Sequence, residues 1–134
     1  MVQFSLLMPT DPDPDTMVWA ILKNRIDKVK KLIAGGTDVN ETVNKDGETP
    51  LYLAALLRRE TIAAKLIEEH AEVDKTVWYG MTPLLIAAKN GDSVMVEMLI
   101  RAGADVDKYD TTLRTPLFYA AQGGHIAVVE KLIE

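Results

Sequence analysis

The sequence repeats one short motif three times at a constant spacing. Thr-Pro-Leu begins at Thr49, Thr82 and Thr115, which lie 33 residues apart. An alanine pair follows each motif at the same distance, as Ala54-Ala55, Ala87-Ala88 and Ala120-Ala121. A constant period of this length predicts a stack of repeats rather than one globular core. It therefore favours a binding surface over an active site.

The period continues into the second half of each copy and reveals a divergent fourth copy at the start of the chain. One apolar column reads Val29, Ala63, Val96 and Val129, and the next reads Leu32, Leu66, Leu99 and Leu132. Apolar residues three and four apart predict one buried stripe on each second helix. The predicted copies span about 15–47, 48–80, 81–113 and 114–134, after an extended segment and Pro/Asp linker at 1–14.

Each motif has the residues expected at the start of a helix. The hydroxyl of Thr49, Thr82 or Thr115 can accept a backbone N–H of the first turn. The proline that follows suits the first helical position, where its missing N–H costs nothing. In the first copy the same alignment places Asp15 at the cap and Thr16 at the proline position.

The turns between elements predict left-handed backbone at several positions. Gly91 and Gly124 lie between the two helices of their copies, where the first two copies have Asn24 and Arg58. Asn tolerates this conformation, whereas Arg is strained in it. His70 takes the place of a glycine after a second helix, and we interpret it as a mildly strained cap.

The loops before the motifs read as hairpin turns. Gly47 and Gly80 each precede a motif threonine by two residues, as a tight turn requires. Leu113 replaces glycine in the last loop, so we expect that turn to differ in geometry.

Composition excludes several classes of protein. The chain has 134 residues, 48% of them hydrophobic, a formal net charge of −5 and no cysteine. These values predict a folded domain without disulfides, and no basic block indicates nucleic-acid binding. No apolar run reaches the length of a membrane span. The apolar start, 1–8, lacks the basic leader of a signal peptide, so we expect a cytoplasmic or nuclear protein.

These residues resemble the ankyrin-repeat family. The motif reads Asp46-Gly47-Glu48-Thr49-Pro50-Leu51, and a later loop reads Gly103-Ala104-Asp105-Val106-Asp107. The resemblance covers about 15–134 and implies an all-α repeat solenoid of paired antiparallel helices with projecting hairpin loops. One departure is notable: the family's histidine after Thr-Pro-Leu is Tyr52, Leu85 and Phe118 here. We therefore expect packing to replace the hydrogen bonds that this histidine usually makes.

The resemblance also implies a function, because ankyrin-type proteins generally bind other proteins through a concave face of loops and first helices. By alignment, the protein-binding positions are Lys45, Asp46, Glu48, Leu56, Leu57, Trp78, Tyr79, Met81, Lys89, Asn90, Thr111, Thr112, Arg114 and Gln122.

Four of these positions carry apolar side chains where polar ones are expected. Trp78 and Tyr79 lie at a projecting tip, and Leu56 and Leu57 lie at a helix end. Aromatic residues at such positions often provide most of the binding energy of an interface. Alternatively, Trp78 folds back over the preceding finger, and the leucines fill gaps between repeats.

The two ends of the stack differ in polarity. The outer helices of the first copy carry Lys23, Asn24, Arg25, Asp27, Lys28, Lys30 and Lys31. The last copy has Phe118 and Tyr119 in its first helix, so its outer face should be apolar. We expect either further repeats downstream in a longer chain or self-association at this end.

Other classes of function have less support. The sequence contains no phosphate-binding glycine loop, no nucleophile pair and no metal-ligand spacing, which argues against an enzyme and predicts no cofactor or metal. A regulatory or targeting module of a larger enzyme, channel or bacterial effector is an alternative, as is a structural spacer. Asn40 resembles a site of asparaginyl hydroxylation, although a structural Asn that binds the loop backbone is the default interpretation.

Overall fold

Four helix pairs follow one another along the chain. The computed structural model describes residues 12–134, and it contains no β-strand within that range. The expectations for residues 1–11 lie outside the described part. The helices are α1 (Met17–Leu22), α2 (Ile26–Ala34), α3 (Pro50–Leu56), α4 (Glu60–Glu68), α5 (Pro83–Asn90), α6 (Ser93–Arg101), α7 (Pro116–Gln122) and α8 (Ile126–Ile133).

The pairs stack in sequence order, which confirms the all-α repeat solenoid. The helices of each pair pack together, and the first helices α1, α3, α5 and α7 form one continuous layer. The second helices α2, α4, α6 and α8 form the other layer. Ala54, Ala55, Ala87 and Ala88 are completely buried, because their small side chains let neighbouring helices approach closely.

The helix starts follow the predicted capping, except at α1. The hydroxyls of Thr49, Thr82 and Thr115 accept backbone N–H bonds of the first turn at 3.1, 3.2 and 3.2 Å. The prediction of Asp15 as the first cap was wrong: Thr16 caps α1 and accepts from the backbone N–H three residues later at 3.3 Å. Thr16 has extended backbone and a hydroxyl in position, whereas the Asp15 carboxylate binds Lys28 Nζ at 2.9 Å.

The predicted left-handed turn residues are found in that conformation. Asn24, Arg58 and His70 have φ of 56°, 61° and 69°. The Arg58 guanidinium also donates to the backbone carbonyl of Asn90 in the next pair, a contact that offsets part of its strain.

The prediction of a different turn at Leu113 was wrong. Leu113 has φ 68°, close to the 72° of Gly47 and the 71° of Gly80 at the equivalent positions. The same hydrogen bond closes all three turns: the N–H of Leu113 donates to the carbonyl of Asp110 at 2.9 Å, as Gly80 does to Val77 at 3.0 Å and Gly47 to Asn44 at 3.2 Å.

Hydrogen bonds join neighbouring pairs on the loop side. Asn40 Oδ1 accepts from the backbone N–H of Glu72 at 2.8 Å, and the carboxylate of Asp74 accepts from the N–H of Asp105 at 3.1 and 3.2 Å. Asn40 therefore binds the loop backbone, as the default interpretation held. Of the three residues that replace the family's histidine, Tyr52 and Leu85 are buried, as expected, whereas Phe118 is 42% exposed. Packing therefore replaces the histidine at two of the three positions.

A second series of bonds joins the turns between helices. Arg59 donates to the carbonyls of Ile21 and Leu22 at 3.0 and 2.9 Å, and a ring nitrogen of His125 lies 3.1 Å from the carbonyl oxygen of Lys89. Each of these residues occupies the same position in its own pair. No helix within residues 12–134 combines the length and apolar character needed to cross a bilayer.

Candidate functional site

Three loops project from the stack beside the starts of the first helices. We name them finger 1 (42–48), finger 2 (76–81) and finger 3 (109–114). Each finger is closed by a backbone hydrogen bond: from Val43 to Glu48 at 2.7 Å, from Val77 to Met81 at 2.8 Å, and from Asp110 to Arg114 at 3.1 Å. The bond in finger 1 spans one more residue than the other two, so this finger contains the extra residue of the first copy.

The tip of finger 2 is aromatic and exposed. Trp78 and Tyr79 are 58% and 71% exposed, and their rings meet edge to face with centroids 5.6 Å apart. The exposure of Trp78 excludes the alternative in which the preceding finger covers it. Tyr79 has φ 61°, and Gly80 beside it has φ 71°. Two successive left-handed residues turn the chain sharply and leave both rings on the outside.

Finger 3 is organised around one buried carboxylate. Asp110 Oδ1 accepts from the N–H and hydroxyl of Thr112 at 2.8 and 2.7 Å and from the N–H of Arg114 at 3.1 Å. The phenol of Tyr119 in α7 donates to Asp110 Oδ2. Burial opposes ionisation, but the bonds from Tyr119, Thr112 and Arg114 outweigh it and lower the pKa of Asp110 to about 2. Asp110 therefore stays charged and holds finger 3 against α7.

Two cations lie over aromatic rings beside these fingers. The guanidinium of Arg114 is 5.2 Å from the ring centroid of Phe118, and Lys89 Nζ is 5.8 Å from that of Tyr119. Attraction of a cation to the face of a ring is favourable at such distances. Arg114 and Phe118 are both exposed, so this pair lies on the surface beside finger 3, whereas the Tyr119 ring beneath Lys89 is buried.

The remaining predicted positions fall into exposed and partly buried groups. Three of the partly buried residues, Leu56, Leu57 and Met81, pack against the core. Asn90 Nδ2 donates to the carbonyl of Leu56 at 3.2 Å, and Glu48 accepts from Asn44 within finger 1 at 2.7 Å. The exposed positions are Lys45, Asp46, Lys89, Thr111, Thr112, Arg114 and Gln122.

The structure adds two exposed apolar residues that the alignment did not select. Tyr109 and Leu113 in finger 3 are 57% and 73% exposed. Tyr109 occupies the position of Thr76 in the preceding copy. An aromatic residue at a position that is polar in the preceding copy was the sequence signal that could have identified it as a surface candidate. With Trp78 and Tyr79, they extend the apolar surface across two fingers.

The described part of the chain contains no group of three or more His, Cys, Asp or Glu side chains arranged to hold a metal ion. His125 contacts the preceding pair, as described above. His70 lies at a helix end with left-handed backbone.

Comparison with known proteins points to one family. A family model described as ankyrin repeats (3 copies) matches residues 1–77 and 65–134, which together cover the whole chain. A search of curated proteins found no match.

Proposed function

The chain belongs to the ankyrin-repeat family, and because ankyrin repeats are generally protein-interaction modules, we propose that it binds a partner protein through its finger loops and the ends of its first helices. The observation that carries this proposal is the exposed aromatic pair Trp78 and Tyr79 at the tip of finger 2. Rings this exposed bury little of their area in the stack, whereas aromatic residues are frequent anchors of protein interfaces.

The distribution of side chains supports a contact centred on fingers 2 and 3. Finger 1 is polar at its tip, with Lys45 and Asp46 exposed. Fingers 2 and 3 together present Trp78, Tyr79 and Leu113. A partner that covers both fingers would remove more apolar area from water than one centred on finger 1, and the burial of such area favours binding.

The proposal gives the chain no reaction and no cofactor of its own, in keeping with a family that is typically non-enzymatic. We further propose a cytoplasmic or nuclear location. As a binding module, the domain would serve equally well alone or as the regulatory or targeting part of a larger protein.

Affinity purification with matched baits tests the proposal. The wild-type protein, Trp78→Ala and Val94→Ala are each immobilised and exposed to the same lysate, and captured proteins are quantified by mass spectrometry. Val94 is a suitable control because it is also apolar and 56% exposed but lies in α6, away from the fingers. We expect one or more proteins captured by wild type and Val94→Ala to be depleted on Trp78→Ala.

Calorimetric titration of a depleted protein then measures the effect directly. We expect Trp78→Ala to weaken binding by at least about 2 kcal/mol, roughly 30-fold in Kd, with an unchanged melting temperature. Equal affinity of wild type and Trp78→Ala would remove finger 2 from the binding site and overturn the proposal.

A further inference from the structure

The outer face of the last helix pair is apolar and uncovered within residues 12–134. Leu117 and Phe118 of α7 are 41% and 42% exposed, whereas Leu84 and Leu85, at the same positions one pair earlier, are completely buried by the next pair. Ala121 in α7 is exposed as well. We name Leu117, Phe118 and Ala121 the terminal face. The expectation that this face exposes apolar surface is confirmed, although Tyr119 points inward and is buried.

The opposite end of the stack has side chains suited to that face. Tyr119 and Ile86 occupy the same position in the last two pairs and are 7% and 6% exposed, and the Tyr119 ring lies beneath Lys89 of the preceding pair. Trp19 in α1 occupies the equivalent position, has no preceding pair within the described residues, and is only partly buried against the core. The Arg25 guanidinium lies 5.9 Å from the centroid of the Trp19 ring, much as Lys89 Nζ of the preceding pair lies 5.8 Å from that of Tyr119. The Trp19 ring, with this cation beside it, can therefore contact a neighbouring molecule as Tyr119 contacts the preceding pair.

An ion pair between successive pairs gives a first matching contact. Glu97 in α6 binds Lys131 in α8 at 2.6 Å. Glu130 occupies the position of Glu97 one pair later, and Lys31 occupies the position of Lys131 in the first pair. Both residues are exposed. Glu130 on the last pair and Lys31 on the first pair could therefore form, between two molecules, the same ion pair that Glu97 and Lys131 form inside the stack.

A loop hydrogen bond gives a second matching contact. The carboxylate of Asp74 accepts from the backbone N–H of Asp105 in the next pair at 3.1 and 3.2 Å. Asp107 occupies the position of Asp74 in the following loop, and Asp38 occupies the position of Asp105 in the first. The Asp107 carboxylate at one end of the molecule is therefore the acceptor that matches the backbone N–H of Asp38 at the other end.

We propose that a second copy of this chain docks head to tail, with its first helix pair on the terminal face of the first copy. The arrangement repeats the step between consecutive helix pairs, so Trp19 covers Phe118 and Lys31 meets Glu130. A face-to-face dimer of two terminal faces lacks this complementarity, because it offers Glu130 no matching Lys31. The contact is heterologous, so association continues beyond a dimer unless it closes into a ring.

Sedimentation velocity of the 134-residue protein over a wide concentration range tests the proposal. We expect the average mass to rise past that of a dimer with concentration. Phe118→Glu should weaken association at least about tenfold, because it places a charge on the terminal face. The control is Val94→Glu, which adds the same charge at an exposed position of the third pair. Circular dichroism verifies that each variant is folded.

Charge exchange distinguishes head-to-tail docking from other modes. Lys31→Glu and Glu130→Lys should each weaken association, and the double variant, with the pair reversed, should recover it. A mixture of Phe118→Glu with Lys31→Glu should form dimers and nothing larger, since each variant retains one intact end. A monomer at every concentration would overturn the proposal. So would loss of association with Phe118→Glu but not with Lys31→Glu, which indicates face-to-face dimers.

Discussion

The backbone N–H of Thr111 donates to the backbone carbonyl of Tyr79 at 2.9 Å, which joins the tips of fingers 2 and 3. A Cβ atom added at Gly80 would lie 3.1 Å from the nitrogen of Thr111 and 3.3 Å from its Cγ2. The two fingers therefore approach each other closely at Gly80, where an added side chain would crowd Thr111. This contact presents the exposed side chains of both fingers as one surface.

Gly80→Ala should accordingly be more harmful than the same change in finger 1. Gly47 has nearly the same φ, 72° against 71°, but an added Cβ there meets nothing within 4 Å. Backbone strain alone should make Gly47→Ala cost about 1 kcal/mol. Gly80→Ala should cost about 1 kcal/mol more, because the fingers must also move apart. Urea denaturation of both variants measures the difference, and equal losses would show that the contact between fingers contributes no stability.

Leu113→Gly should stabilise the protein. Leu113 has φ 68° and is 73% exposed, so its side chain is strained yet buries little area. Glycine removes the left-handed strain, which stabilises the folded state, but it also makes the unfolded chain more flexible, which offsets part of the gain. The net free energy of unfolding should increase by about 0.5–1 kcal/mol. Arg58→Gly is the comparison: it relieves a similar φ of 61° but loses the bond to Asn90. A larger gain in melting temperature for Arg58→Gly than for Leu113→Gly would contradict this account.

Acid should weaken the hold of Asp110 on finger 3. The folded state lowers the pKa of Asp110 to about 2 from an ordinary value of 3.8. The stability from this carboxylate is thus complete above pH 4 and is lost as the pH falls toward 2; it amounts to about 2 kcal/mol. Tyr119→Phe removes one donor and should raise the pKa of Asp110, which moves the acid loss to higher pH. Denaturation at a series of pH values checks this, with Tyr52→Phe, another buried tyrosine, as the control.

Glu60→Gln should stabilise the junction between the second and third pairs at neutral pH. Asp92 Oδ2 is buried without a hydrogen-bond partner, although Asp92 Oδ1 caps α6. Burial and the negative charge of the nearby Asp92 carboxylate raise the pKa of Glu60, against a weaker opposing effect of Arg58. A raised pKa means that stability is present at low pH and is lost as the pH rises through the folded value.

A glutamine at position 60 offers an N–H donor to Asp92 at every pH. We expect a gain of about 1 kcal/mol at pH 7 and a smaller gain in acid, where Glu60 itself carries the proton. Chemical denaturation at both pH values provides the measurement. A gain that is the same at both would show that Glu60 and Asp92 do not share a proton.

Local sequence signals predicted the elements of each copy well. Thr49, Thr82 and Thr115 cap their helices because the hydroxyl, the extended backbone and the following proline act within a few residues. Asn24 and Arg58 take the left-handed conformation, as their alignment with Gly91 and Gly124 predicted. The error at Asp15 arose where no proline marked the first helical position, so alignment by period alone misplaced the cap by one residue.

The candidate surface could be predicted by position but not by exposure. The alignment selected Trp78 and Leu56 alike, yet Trp78 is exposed whereas Leu56 packs against the core. The difference depends on how neighbouring pairs are placed, which the residues of one copy do not specify. Tyr109 was overlooked because an aromatic residue that departs from a repeat pattern can be either buried or exposed.

The sequence by itself determined the repeat, its helices, its caps and the ankyrin-type stack, because these follow from short-range interactions that recur at a constant spacing. Only the tertiary structure decided which side chains meet between copies: Asp110 with Tyr119, and Arg59 with the carbonyls of α1. It also decided that Leu117 and Phe118 stay exposed where Leu84 and Leu85 are buried. The physical reason is that burial depends on what lies against a residue in space, and identical positions in successive copies have different neighbours.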